Sequence, residues 1–332
     1  MSSQTNRHKP RRSLGRTLVT TAIVSYGAYR LADWVLNNQN EDEEQSRQEG
    51  ESNTPQTRSP RSYQENLDRR TLWKLRKQRI IKCREEAVKA CRTCWPAIQE
   101  SIEEATSVSS TTKQLKDMRA SQDGHSDDLW NQIYVQTITR YLSTAYAHTL
   151  VFLMSTLQIH YLGGKMFRKE DINDEQSILV ESHQYMLKQG LPLLVPIIRR
   201  TVGQLIAEWK STTALSRTEF ESILQKTQQR LENGNNAKHT RNWIRFVLPD
   251  ITVDELWDIA SSPVWDDAQH QVMEETIKLY LSQQPVNREE GIPVAKHMAP
   301  IKKACKNIST DENYQQWIAL PTMLELGDIS FQ

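Results

Sequence analysis

The feature that most constrains this chain is the run from Tyr141 to Gly164, which contains no Lys, Arg, Asp or Glu. As a helix rising 1.5 Å per residue it would be long enough to cross the hydrocarbon core of a bilayer. Either it spans a membrane, or other elements must enclose it on every side. The polar residues favour enclosure. Ser143, Thr144, His148, Thr149, Ser155, Thr156, Gln158 and His160 are spread around the helix instead of gathered on one stripe, as expected of a buried central helix whose neighbours supply hydrogen-bond partners. The run also has a good start upstream. The Ser126 hydroxyl caps free amides, and the Asp127 and Asp128 carboxylates favour the positive end of the dipole. Apolar residues then continue from Leu129 through Ile138, Tyr141, Leu142, Ala145, Phe152 and Leu153.

A chain of 332 residues is long enough to supply the surrounding elements, as one large domain or two small ones. Glycine is sparse, at 11 residues. Leu, Ile, Ala, Gln, Glu, Lys and Arg recur at helical spacing and no strand pair stands out, so the fold class is all-α. Asp174 to Gln189 reads as a helix stopped by Gly190. The next starts at Pro192 and runs to about Trp209, bent or delayed by Pro196. Ser216-Arg217-Thr218-Glu219 and Thr252-Val253-Asp254-Glu255 are capping-box signatures, with Gly234 closing the helix that opens at the first and a polar loop from Asn233 to Arg241. Further helices are expected over Pro263 to Gln283, Ile292 to Ile308, and Asp311 to Leu326.

The N-terminus adds a different layout. Residues 1–16 are basic and without an acid, and Thr17 to Tyr29 is uncharged. The apolar segment carries Thr17, Leu18, Val19, Ile23, Val24, Tyr26 and Tyr29 and continues through Leu36, with Arg30 and Asp33 three apart. No small-residue cleavage pattern follows it, so the reading is a membrane anchor over residues 1–36; an amphipathic presequence or a surface-lying helix are the other readings. Residues 37–62 are polar and acidic (Glu41, Asp42, Glu43, Glu44, Glu49, Glu51) and read as a disordered tether. The helical domain is expected over residues 63–332.

That domain begins with a basic amphipathic helix. Arg69, Arg70, Lys74, Arg76, Lys77, Arg79, Lys82 and Arg84 surround Leu72, Trp73, Leu75, Ile80 and Ile81. The plainest reading is a solvated charged face; contact with anionic headgroups comes second, and nucleic acid a distant third. The overall net charge of +1 gives no bulk attraction to nucleic acid. The helix continues through Ile81, Val88, Cys91, Trp95, Ile98 and Ile102, a three-and-four recurrence that presents one apolar seam to the bundle.

Catalytic groupings are missing from the sequence: no Gly-rich phosphate loop, HExxH or GxSxG is present. The four cysteines are too few and too clustered for a secreted disulfide framework. Cys91 and Cys94 form a lone CxxC without a second ligand pair, which reads as core thiols. His148 and His160, twelve apart, point about 120° away from each other around a helix and do not face one metal. Asn307-Ile308-Ser309 matches a glycosylation sequon, which arises readily by chance. No catalytic residue, metal or cofactor is therefore expected. What remains is a surface for a partner helix, with Trp130 as the best anchor.

Several of these segments resemble the peroxin three family, the docking factors of the peroxisomal membrane. The similarity rests on Leu129-Trp130, Arg140, Tyr146 and Leu157-Gln158-Ile159-His160-Tyr161-Leu162-Gly163-Gly164. Weaker agreement follows the family's order through Cys94-Trp95-Pro96 before a helix, Gln189-Gly190-Leu191, Leu248-Pro249-Asp250, Ser262-Pro263-Val264-Trp265, and Ile292-Pro293-Val294-Ala295-Lys296 with Pro300. His160 stands where the family has Asn, and the surroundings of Cys83 depart from its pattern.

The resemblance implies an N-terminal anchor, a polar linker and an elongated cytosolic helical bundle around one long helix. It implies that Trp130 lines a groove taking an amphipathic helix of peroxin nineteen, the soluble carrier of new peroxisomal membrane proteins. Leu129, Ile133 and Leu115 would share the groove, and Lys296 would be a basic residue at its rim. Its partners are then this carrier and peroxisomal membrane lipid, with no nucleic acid. It also places the basic leader inside the organelle and the helical domain outside, although loop charges alone favour a cytosolic leader. The competing readings are a tethered helical scaffold of another organelle and a membrane-bound enzyme gathering His148, His160 and His183 in a pocket.

Overall fold

The computed structural model describes residues 61–121, 126–170, 176–233, 243–248, 254–282 and 291–332. The expected anchor (Thr17, Leu18, Val19, Ile23, Val24, Tyr26, Tyr29), most of the acidic linker, the polar loop after Asn233 and the second capping-box threonine lie outside the described residues.

The described chain is all-α, and its axis is the helix α3, Ser126–Phe167. Every residue from Tyr141 to Gly164 is buried, and the helices packed on it include α1 (Arg61–Ala105), α2 (Ser109–Ser121), α5 (Leu191–Leu205), α8 (Pro263–Ser282), α9 (Met298–Asn307) and α11 (Pro321–Ser330). Several of the scattered polar residues of α3 find partners in different directions, while Thr156 and His160 bond carbonyls of α3 itself and Ser143 Oγ is buried without one. The Tyr141 hydroxyl donates to the Thr276 carbonyl of α8 at 2.9 Å. His148 Nε2 pairs with the Tyr314 hydroxyl of α10 (Asp311–Ile318) at 2.9 Å. Ser155 and Gln158 meet His183 and Ser182 of α4 (Gln176–Tyr185). Among the described residues no helix is long and apolar enough to cross a membrane, so the uncharged run is a buried core element.

Where the elements differ from expectation, local chemistry accounts for it. The helix α1 starts at Arg61, inside the expected linker, and carries Pro96 internally, although the resemblance placed that proline ahead of a helix. Gly190 does not stop a helix. Residues Met186–Gly190 form one π-helical turn joining α4 to α5, in which the Leu191 amide donates to the Met186 carbonyl. Pro192, lacking an amide hydrogen, cannot donate to the Lys188 carbonyl. Gly190 is needed because the Phe246 carbonyl lies against its Cα, leaving no room for a Cβ. The helix α5 ends at Leu205 instead of Trp209, and the last expected helix divides at Pro321 into α10 and α11.

The capping box is present as read: the Ser216 amide donates to Glu219 Oε2 at 2.7 Å and the Glu219 amide to Ser216 Oγ at 3.2 Å, opening α6 (Arg217–Asn233). The short α7 covers Asp254–Ala260, and Pro263 opens α8. One feature was not anticipated. The two-residue segments β1, Ala214–Leu215, and β2, Ile292–Pro293, pair antiparallel, and β2 leads through the tight turn Val294–His297 into α9.

Candidate docking site at the start of the central helix

Three elements meet around the first turns of α3. The helix α2 precedes α3 and packs against it; α2 carries Leu115 and α3 carries Ile133. Both are nearly closed off, at 5% and 8% exposure. Leu129 and Trp130, one turn nearer the helix start, are only half-buried. In a helix, positions four apart share a face: Leu129 stands above Ile133, and Trp130 above Tyr134, with ring centroids 5.7 Å apart. Tyr134 is fully buried and meets the Trp209 ring edge-on at 6.3 Å.

Trp209 belongs to the turn after α5, and polar contacts hold that turn to α3. Asn131 Nδ2 donates to the carbonyls of Ile206 at 2.7 Å and Trp209 at 3.2 Å. The Ile206 carbonyl also accepts from the Trp209 amide at 3.0 Å, so Asn131 fastens the turn after α5 to α3. The Ser211 amide and hydroxyl both donate to Asp127 Oδ1, and these bonds hold the Asp127 carboxyl below its usual range. Asp127 thus ties down a loop as well as standing in the first turn of α3. Burial, and secondarily the Asp127 charge, push the Tyr134 phenol up.

The same turn leads to Lys296. Past Ser211 the Thr213 carbonyl accepts from the Val294 amide at 3.0 Å, and β1 pairs with β2. Lys296 is exposed in the turn that follows, while its neighbour His297 is buried and stacks on Phe220 with centroids 4.9 Å apart. A continuous chain of contacts therefore connects Trp130, Tyr134, Trp209, the Thr213 turn and the segment bearing Lys296. Of the five residues singled out in the sequence, Leu129 and Trp130 are half-buried, Leu115 and Ile133 are buried, and Lys296 is exposed. Trp209, Asn131 and Tyr134 were missed as members. For Trp209 the available signal was an aromatic residue placed at the end of an apolar helix.

Arg140, one of the residues carrying the resemblance, has a structural task. Its guanidinium donates to Thr106 Oγ1 at 3.0 Å and to the carbonyls of Thr106 at 2.9 Å and Glu103 at 3.4 Å. A cation is thereby placed at the negative end of α1, satisfying its last carbonyls. The Gly163-Gly164 pair also serves packing. A Cβ on Gly164 would sit 2.5 Å from the Phe331 carbonyl, where the end of the chain crosses α3.

The buried thiols and imidazoles are held in their neutral forms. Burial pushes Cys83, Cys91 and Cys305 up to about 12 and raises Cys94 well above its ordinary value. Cys94 is engaged with the Cys91 carbonyl, so the CxxC pair sits in the core as thiols. Burial lowers His148 to about 3 and His160 and His183 to about 4. His148 contacts Trp95, Tyr314 and Trp317; His183 meets Ser155; and His160 Nδ1 lies 2.8 Å from the Thr156 carbonyl of its own helix. These are separate environments. Among the described residues no group of three or more His, Cys, Asp or Glu is arranged to hold a metal ion. Compared with protein-family models and with curated proteins, the chain matches none.

Proposed function

We propose that this protein is a docking receptor of the peroxisomal membrane, whose helical domain faces the cytosol and takes an amphipathic helix of the carrier peroxin nineteen at Leu129 and Trp130. The observation that carries the reading is the state of Trp130. Trp95, Trp265 and Trp317 are enclosed core residues at 2%, 1% and 1% exposure, whereas Trp130 is half-buried beside Leu129 in the first turns of α3, with its ring against Tyr134. Large aromatic side chains in such settings anchor incoming helices. Lys296, exposed in the segment linked to the Trp209 turn, supplies a cation for an acidic residue of that helix. In this reading residues 1–36 hold the protein on the membrane, residues 37–62 act as a tether whose last residues join α1, and no catalysis is involved.

The test is localisation combined with topology. A fluorescently tagged full chain should coincide with a peroxisomal matrix marker, and protease added to intact organelles should remove the helical domain. A mitochondrial or reticular pattern, or protection of residues 63–332, would overturn the assignment.

A further inference from the structure

The seam of α1 runs off the end of the bundle. From Ile80 onward it is buried, through Cys83, Ala87, Val88, Cys91, Cys94, Trp95, Ile98 and Ile102. Ile81, expected on that seam, is instead 44% exposed. Seven residues before Ile80, and so on nearly the same side of the helix, stands Trp73 at 62% exposure, beside Leu72 at 57%. With Leu75 and Leu193, these complete the large apolar side chains left exposed among the described residues, and all but Leu193 lie on this one stretch. Only the placing of Ile81 on the seam is corrected: residues 69–75 are exposed, and Arg76 lies over the Phe331 ring at the edge of the bundle. Between Arg69 and Arg84 there are eight Lys and Arg and no acid; Arg79 is buried and Arg76 and Arg84 are partly so, which leaves Arg69, Arg70, Lys74, Lys77 and Lys82 exposed. Lys77 Nζ lies 5.3 Å from the Trp73 ring centroid.

We propose that this exposed, basic part of α1 lies on the surface of an anionic phospholipid bilayer, with Leu72, Trp73 and Leu75 in the headgroup region and the surrounding cations on lipid phosphates and carboxylates. An occupant has to supply negative charge and an apolar phase together. A second copy of α1 would bring the same positive charge and be repelled. The acidic segment 37–53 of the chain matches the charge, but it contains no apolar side chain with which to cover Leu72 or Trp73. Nucleic acid offers phosphates and a stacking partner for Trp73, yet leaves Leu72, Leu75 and Ile81 in water. An anionic lipid surface meets both requirements. Tryptophan favours the bilayer interface, and lysine stems can lie along apolar surface while their charged ends reach the headgroups. This inference stands on α1 alone and does not depend on what docks at Trp130.

The four native cysteines are buried, so Leu75→Cys in the full chain creates a selectively reactive surface thiol for an environment-sensitive fluorophore. On vesicles of phosphatidylcholine with phosphatidylserine, the emission should shift to the blue and be quenched by lipids carrying a shallow nitroxide. The effect should weaken with salt and on phosphatidylcholine alone. Reversing Arg70, Lys74 and Lys77 to Glu should weaken it by more than about tenfold. A label that stays water-exposed on the anionic vesicles would overturn the proposal. Quenching that is equal on neutral vesicles and indifferent to the reversal would also overturn it, because an N-terminal anchor alone would then account for the contact. A response to an oligonucleotide without one to anionic vesicles would assign the surface to nucleic acid instead.

Discussion

Lowering the pH should unfold this protein steeply, beginning where histidine titrates and well above the range of ordinary carboxylates. His148, His160 and His183 are all buried in α3 and against it, with folded values of about 3, 4 and 4 in place of 6.5. Their immediate partners are Tyr314, the Thr156 carbonyl and Ser155, none of them an anion that could stabilise an imidazolium. The native state therefore excludes protons that the unfolded chain accepts. Their stabilising contribution is complete above pH 6.5 and is lost as the pH falls from there toward the folded values. Each such histidine contributes a slope of about 1.4 kcal/mol per pH unit, and the three together about 4. A typical stability of roughly 5–15 kcal/mol would be largely consumed within about two to three pH units, before most carboxylates protonate. Urea unfolding of the detergent-solubilised full chain, followed by far-ultraviolet circular dichroism at successive pH values, measures the slope directly. His183→Gln should lower it by about 1.4 kcal/mol per pH unit whatever it does to stability at neutral pH. A stability that stays flat from about pH 6.5 to 4.5, or an unchanged slope in that variant, would refute the account of a histidine-sealed core.

Two glycines should respond in opposite directions. Gly164→Ala places a methyl group against the Phe331 backbone and should destabilise by about 1–3 kcal/mol. Gly203, on α5 with nothing within 4 Å of its would-be Cβ, should gain about 0.5–1 kcal/mol on replacement by Ala; denaturant midpoints check both. Arg140→Ala removes the donors at the end of α1 and should cost about 1.5–3 kcal/mol. If Arg140 instead contacts the partner directly, stability would hold while binding fell.

The sequence disclosed the central helix because its information is local and redundant. An uncharged run with polar residues on all sides admits few solutions, and each polar residue could be expected to meet a neighbour. The same holds for Ser216 and Glu219, whose capping box spans one turn. Gly190 and Pro192 misled because a stop signal was read in isolation. The Phe246 carbonyl pressed on the glycine is a tertiary fact, and the π turn at Met186–Gly190 lets the chain run on into α5. The turn that follows α5 is held by the Asn131 amide, from a residue 75 positions away, a contact with no local trace. At the candidate site, Trp130 and Leu129 stood out through their residue type at a helix start, whereas Trp209 and Tyr134 entered only through packing. The burial of Leu115 and Ile133 was likewise not legible, since an apolar residue facing a neighbouring helix and one facing an open groove follow the same periodicity. The position of Trp73 matched the buried seam; the end of the bundle, not the sequence period, left it exposed.

The central claim is that Leu129 and Trp130 receive an amphipathic helix of peroxin nineteen. Its most direct test is a calorimetric titration of the full chain and of Trp130→Ala with that helix. The account predicts measurable binding to the unaltered chain, weakened in the variant by about 2 kcal/mol or more, roughly thirtyfold, with the helical dichroism signal unchanged. Equal affinity in the two proteins, or loss of the helical signal in the variant, would contradict it.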